Sequence, residues 1–222
     1  MSIKQKLKNI LDKIPKHVTL VAVSKTKPVS AIMEAYNAGH RVFGENKVQE
    51  MVEKHEQMPK DIEWHMIGHL QRNKVKYMAS FVHLIHGVDN FKLLKEINKQ
   101  AKKHNRVIDC LLQIKIADED SKFGMSAKDA SNILQSEAFA ELKNIRITGV
   151  MGMATFTNNE TQIKQEFDFL KNTFDNLKLL EVSNFEPETI SMGMSGDYQL
   201  AINCGSTMIR VGSSIFGARN YN

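Results

Sequence analysis

A lysine that closes an apolar run is a candidate amine nucleophile, and Lys25 stands in that position in Ala22-Val23-Ser24-Lys25-Thr26-Lys27-Pro28. An apolar environment or a second cation lowers the pKa of such an amine and readies it for imine formation with a carbonyl. Both features could operate here, since Lys27 lies two residues on and side chains two apart share a strand face. The alternative is an ordinary solvated lysine at a strand end. The last third of the chain supplies a second constellation. Gly193, Gly196, Gly205, Gly212 and Gly217 are interleaved with Ser195, Ser206, Thr207, Ser213 and Ser214. Glycine lets backbone N–H groups approach an anion closely, and serine adds a hydroxyl donor. The same residues also build plain turns. Amine, anion cradle and the nearby Arg210 together suit an aldehyde that carries a phosphate.

The histidines are less directive. His65 and His69 are four apart and His83 and His86 three apart, spacings that on helices suggest metal ligands. His65 falls in a strand pattern, however, Gly68 interrupts the approach to His69, and no acidic residue completes a recognisable zinc motif. Structural histidines, or a ligand contact by His69, are expected, and no metal. Met151, Met153, Met192 and Met194 are read as packing around a pocket.

The elements that position these groups alternate from end to end. A leading amphipathic helix is expected over Ile3 to Ile14. Strand patterns cover Val18 to Ser24, Arg41 to Phe43, Glu63 to Ile67, Val82 to Ile85 and Val107 to Ile116, then Arg146 to Met151, Thr189 to Met192 and Met208 to Val211. Helical patterns fill the gaps at Val29 to Ala38, Lys47 to Gln57, Phe91 to His104, Ala127 to Glu137 and Gln162 to Leu177. Near-continuous apolar strands separated by helices imply βαβ units and a parallel sheet. Eight units in 222 residues favour one closed (β/α)8 barrel, a TIM barrel, filling 1–222 as a single domain; a doubly wound open sheet is the structural alternative. In such barrels the reactive groups gather just past the strand ends. Those places hold Lys25, Asn46, Gly68-His69, Asp89, Lys115, Met151-Gly152-Met153, Met194-Ser195-Gly196 and Arg210-Val211-Gly212-Ser213. Phosphate sites in barrels are frequently built from the loops after strands seven and eight, which favours the anion reading of the glycines. Pyridoxal 5′-phosphate (PLP) is the common cofactor that is both aldehyde and phosphate. Schiff-base aldolases acting on phosphorylated sugars meet the same two constraints.

Composition narrows the class further. Net charge is +5, but the basic residues are scattered at helical spacings and Trp64 is the only tryptophan, so solvated helix faces are expected rather than a nucleic-acid surface. Two cysteines, Cys110 and Cys204, cannot form a disulfide framework and are read as small buried residues. Residues 1–16 lack the apolar core of a signal peptide and no stretch is long enough to span a membrane, so a cytoplasmic location is expected.

The chain resembles the PLP homeostasis protein family, also called PLP-binding proteins, through segments in order along its length. They include Val21-Ala22-Val23-Ser24-Lys25-Thr26-Lys27-Pro28, Phe43-Gly44-Glu45-Asn46 with Val48-Gln49-Glu50, and Trp64-His65-Met66-Ile67-Gly68-His69-Leu70-Gln71. Ser121-Lys122-Phe123-Gly124, Gly149-Val150-Met151, Ser191-Met192-Gly193-Met194-Ser195 and Gly205-Ser206-Thr207-Met208-Ile209-Arg210-Val211-Gly212 continue the match. The resemblance implies a fold-type III PLP barrel like the N-terminal domain of alanine racemase. It implies a Schiff base on Lys25, phosphate contacts from the Ser195 and Gly212-Ser213 loops with Met194 beside them, Arg210 at the pyridine nitrogen, and Asn46 near the cofactor. Lys115 departs from the family, whose members more often carry Asn there, and Lys122 matches a family lysine thought able to interact with PLP.

The expected function is binding, buffering and delivery of PLP, with apo-PLP enzymes as recipients, by a monomer that is not itself an enzyme. Alanine racemases take a second acid/base group, a tyrosine, across a subunit interface with help from an extra β-domain. Here the sequence stops soon after the eighth strand, and Tyr36, Tyr77, Tyr198 and Tyr221 fall in no equivalent segment. An arginine facing the ring nitrogen stays protonated, keeps that nitrogen unprotonated and weakens the ring as an electron sink. The alternative is a low-activity fold-type III amino-acid racemase or decarboxylase.

Overall fold

The computed structural model describes residues 1–117 and 123–218; Lys122, Arg219 and Tyr221 therefore lie outside the described residues. The chain begins with α1 (Ile3–Leu11), β1 (Thr19–Val23), α2 (Val29–Asn37), β2 (Val42–Glu45), α3 (Val48–Gln57) and β3 (Glu63–Met66). A 3-10 turn at Arg72–Lys74 leads into α4 (Val75–Met78), followed by β4 (Leu84–Val88), α5 (Phe91–Lys103), β5 (Ile108–Gln113), α6 (Ala127–Leu134) and α7 (Glu137–Ala140). Then come β6 (Ile145–Met151), α8 (Glu160–Leu177), β7 (Phe185–Ser191), α9 (Tyr198–Asn203), β8 (Met208–Val211) and α10 (Ser213–Phe216). Among the described residues eight parallel strands close in chain order, and β8 pairs with β1 through Val21↔Arg210 and Ala22↔Val211. The closed barrel is the architecture expected from the alternation of strands and helices.

Two apolar shells hold it. Outward residues such as Ala22, Phe43, Trp64 and Ile209 meet the helices in the large cluster, while Val21, Ile67, Leu84, Leu111, Met151 and Met208 fill the interior. Because side chains alternate across a strand, the inward frame runs Val21, Val23, Lys25 on β1 and Met208, Arg210, Gly212 on β8. Asn46 and His69 continue the frames of Gly44 and Ile67. The period-2 pattern thus sets which residues reach the mouth.

The helix expected over Ala127 to Glu137 is two helices. The Ser136 side chain accepts from the Phe139 N–H and starts α7 afresh, a capping interaction that competes with helix continuation. Side-chain caps also open α1 at Ser2, α5 at Asn90, α6 at Ser126 and α8 at Asn159. The Asn90 cap receives the Leu93 N–H at 2.9 Å. Asn90→Ala is expected to cost about 1 kcal/mol and to lower Tm by about 2–4 °C, measured by thermal unfolding followed by circular dichroism. Both cysteines are buried, and burial raises the pKa of each thiol, so neither is set up as a nucleophile.

Candidate functional site

Lys25 leaves β1 half-buried at the C-terminal mouth of the barrel. Its neighbours on either side are held by one buried ionic group. Ser24 donates its hydroxyl to Glu45 Oε1 at 2.5 Å, and the Ser24 carbonyl accepts from Lys54 Nζ at 2.8 Å. Lys54 also bridges Glu45 and Glu50, each at 2.7 Å. Glu50 in turn receives the Thr26 N–H at 2.5 Å. Thr26 has φ of 62°, a left-handed conformation uncommon for a β-branched residue. Such strain persists where surrounding contacts over-determine it, and the Glu50 carboxylate is one of them. The result is a backbone fixed on both sides of Lys25. Burial, outweighing the Lys54 ammonium, pushes the Glu45 carboxyl up to about 7.

The shared strand face expected for Lys25 and Lys27 does not form. The chain turns at Lys25-Thr26, and Lys27 Nζ donates to the Ala218 carbonyl at 2.7 Å, so Lys27 is committed to a different partner.

The loops after β7 and β8 are tied together by the Gly212 N–H, which donates to Ser195 Oγ at 3.2 Å. Asp197 receives the Met194 N–H at 2.5 Å and shapes the first of these turns; burial raises its carboxyl pKa. Ser213 and Ser214 open α10, whose first N–H groups have no intrahelical acceptor. Gly212 packs against β1 so tightly that a Cβ there would lie 3.0 Å from the Val23 carbonyl oxygen. The anion-loop candidates and the amine are therefore neighbours across the β8–β1 seam. Gly68 makes a similar approach possible on the other side: a Cβ would sit 2.4 Å from the Asn46 carbonyl oxygen. Asn46 and His69 thereby occupy adjoining parts of the rim. His69 Nδ1 lies 3.4 Å from Asp89, and its ring stacks on Phe123 at 4.1 Å. Lys115 lines a cleft of about 610 Å³ beside α8.

Arg210 is buried inside the barrel. Its guanidinium donates to Ser191 Oγ at 2.5 Å and to the Gly152 carbonyl at 3.0 Å. Burial lowers its pKa to about 10, which leaves it a cation at neutral pH. Arginine is only a donor, so Ser191 accepts from it, and Ser191 Oγ is also hydrogen-bonded to His86 Nδ1 at 3.0 Å. His86 Nε2 and His65 Nδ1 share a hydrogen bond at 3.0 Å. Burial holds both imidazoles neutral, His65 with a pKa of about 3 and His86 well below its usual range. Four buried polar residues from β3, β4, β7 and β8 form one hydrogen-bonded column ending at Arg210.

The sequence-derived set Lys25, Asn46, His69, Met194, Ser195, Arg210, Gly212 and Ser213 is thus brought to one end of the barrel, with Arg210 reaching it from the interior. Sequence reasoning missed Lys54, Ser191, His86 and Asp197. Glu50 and Lys54, four apart on a helix, look like a surface pair, and nothing local marks Lys54 as buried. His86 and Ser191 carry a signal only once strand order is known.

The model of the family described as alanine racemase, N-terminal domain, matches residues 1–220. The pyridoxal phosphate homeostasis protein of Haemophilus influenzae is 39% identical over 208 residues, 92% of this chain and 86% of the relative. That of Escherichia coli K12 is 38% identical over 212 residues, 94% and 88% respectively. The structure of PipY from Synechococcus elongatus with PLP bound is 32% identical, with a TM-score of 0.88, and covers 97% of this chain and 100% of PipY. Alanine racemase from Bartonella henselae, at 13% identity and a TM-score of 0.72, shares the fold, and this chain spans 60% of its length.

Proposed function

Because the chain belongs to the alanine racemase N-terminal domain family, and within it to the pyridoxal phosphate homeostasis proteins, we propose that it binds PLP at this mouth, buffers it and hands it on. Lys25 is the residue that holds the aldehyde carbon as a Schiff base. The turns at Ser195 and Gly212-Ser213 take the phosphate, and Arg210 faces the pyridine nitrogen. Asn46 lines the ring's edge. The observation that carries this reading is the packing of Gly212 on Val23, which sets an anion turn beside the strand that ends in the amine. The residues fit the group: a fixed lysine, N–H donors at a helix start and a permanent buried cation. When bound, PLP supplies an electron-accepting ring. A guanidinium at its nitrogen donates hydrogen bonds and gives up no proton there, so electron withdrawal stays weak and carbanion chemistry is slow. This favours carriage over racemisation or decarboxylation.

Mixing the PLP-loaded protein with amino acids and with an apo-PLP enzyme tests the reading. Recovery of the enzyme's activity at the loaded protein's expense, with no amino-acid turnover, is expected. Rapid racemisation or decarboxylation of any amino acid without cofactor transfer would replace the carrier by the enzyme.

A further inference from the structure

At the opposite end of the barrel, where the strands begin, a cavity of about 260 Å³ opens away from Lys25. Glu63 and His65 project into it from one strand face, and His83 arrives from the segment leading into β4. One donor atom from each of the three lies within 4.8 Å of the other two. The imidazoles of His65 and His83 stack in parallel with centroids 5.5 Å apart, and His83 Nε2 is 3.7 Å from Glu63 Oε2. His65 is 2% exposed, and its Nδ1 is taken by His86, while its Nε2 is a buried nitrogen with no hydrogen-bond partner. A buried polar atom left unpaired is costly, so an unpartnered nitrogen in a cavity wall points to a ligand. The sign of that ligand follows from the rest of the lining. Asp109, Glu186 and Glu188 share the cavity with a single arginine, Arg146, which pairs with the first two at 2.8 and 3.1 Å. The surplus is negative and disfavours an anion.

From this geometry we propose that Glu63, His65 and His83 form a divalent transition-metal site, of the kind zinc occupies, with water completing the shell. Two imidazoles and one carboxylate make a borderline-soft donor set suited to Zn²⁺ rather than Mg²⁺ or Ca²⁺. Zn–N bonds are ~2.0–2.1 Å, so the half-exposed His83 and Glu63 side chains close on His65, which is fixed by the core. The site also communicates with the other end of the barrel. In the resting column as we propose it, with Ser191 donating to His86 and His86 to His65, His65 carries its proton on Nε2. An ion there requires the other tautomer, with the proton on Nδ1 facing His86. His86 then carries its own proton on Nδ1, and Ser191 accepts from both His86 and Arg210. Each imidazole remains neutral, no net proton is released, and the column reverses direction up to the residue that touches Arg210.

The test is titration of Zn²⁺ into the untagged, PLP-free chain against a chromophoric chelator, so that the outcome is independent of where PLP binds. One equivalent is expected to bind. Loss of an outer-shell partner alone typically costs 10–100-fold in metal affinity, so His83→Ala and Glu63→Gln, both at half-exposed positions, should each weaken it at least about tenfold. His104→Ala, at the exposed end of α5, should leave it unchanged. Nitrogen-15 spectra of the histidine rings should show the His65 proton move from Nε2 to Nδ1 on zinc addition. Absence of saturable binding, equal affinity in the wild type and both variants, or binding without change at the His65 ring would each overturn the proposal.

Discussion

Lys25→Ala is expected to abolish covalent attachment of PLP completely. Borohydride reduction followed by peptide mapping should label Lys25 in the wild type and no lysine in the variant, and the absorption band of the imine should be lost. The fold should survive, because Lys25 is half-buried at a strand end and outside both apolar clusters; substitutions away from the packed core usually stay within about ±0.5 kcal/mol. The phosphate turns are untouched by the change, so residual, non-covalent binding should persist and should weaken with added inorganic phosphate. A label that persisted in the variant would move the amine to another lysine, Lys115 at the neighbouring cleft being the first to map. That outcome would remove the premise on which the phosphate assignment to Gly212-Ser213 rests.

The second large effect is expected at Lys54, which lies in α3 and makes none of the proposed contacts to PLP. Lys54→Ala leaves the fully buried Glu45 without its cation, and breaking one side of a buried pair costs about 3–5 kcal/mol. For a chain of this size that is on the order of a 10 °C loss in Tm. The loss should be smaller in acid, because protonated Glu45 has less need of the ammonium. In the wild type the sign is the same. Glu45 is raised from 4.5 to about 7 in the folded chain, so the native state binds the extra proton. Its contribution is present in full below pH 4.5 and is lost as pH rises through about 7. The shift corresponds to at most about 3 kcal/mol. Glu45→Gln should flatten that slope in urea unfolding measured from pH 4.5 to 8. A slope of opposite sign would mean that Lys54 outweighs burial. Because Ser24 and Thr26 hang from the same network, Lys54→Ala should also slow Schiff-base formation at Lys25, whose own chemistry it leaves intact.

Most of the architecture was legible from hydrophobic pattern because parallel strands buried on both faces announce themselves. The departures have local causes. The apolar run beginning at Val82 stops at Ile85, yet β4 extends to Val88. His86 falls just past that apolar run, yet it is a polar residue satisfied inside the barrel by His65 and Ser191. β7 begins at Phe185 rather than Thr189, since Glu186, Pro187 and Glu188 occupy its solvent-facing start and mask the strand pattern. The grouping of the candidate residues at one rim was readable because it needs only strand order and the residue past each strand. Its support was not. Lys54 and Glu45 are nine residues apart on different elements, and their burial depends on how α3 packs against β2 and β3. Glu63, His65 and His83 likewise meet only through the β3–β4 pairing, so their spacing along the chain carries no signal of the cluster.

The column of His65, His86, Ser191 and Arg210 has a further consequence for assembly. Eight similar βα units invite mis-threading, because an interior of interchangeable aliphatic side chains tolerates a strand sliding by a pleat with little penalty. A two-residue slip of β3 or β7 would strand several of these donors and acceptors in hydrocarbon, at roughly 1–3 kcal/mol apiece. The polar thread works as an alignment pin: it adds little net cohesion, yet it makes one shear of the barrel cheaper than its neighbours.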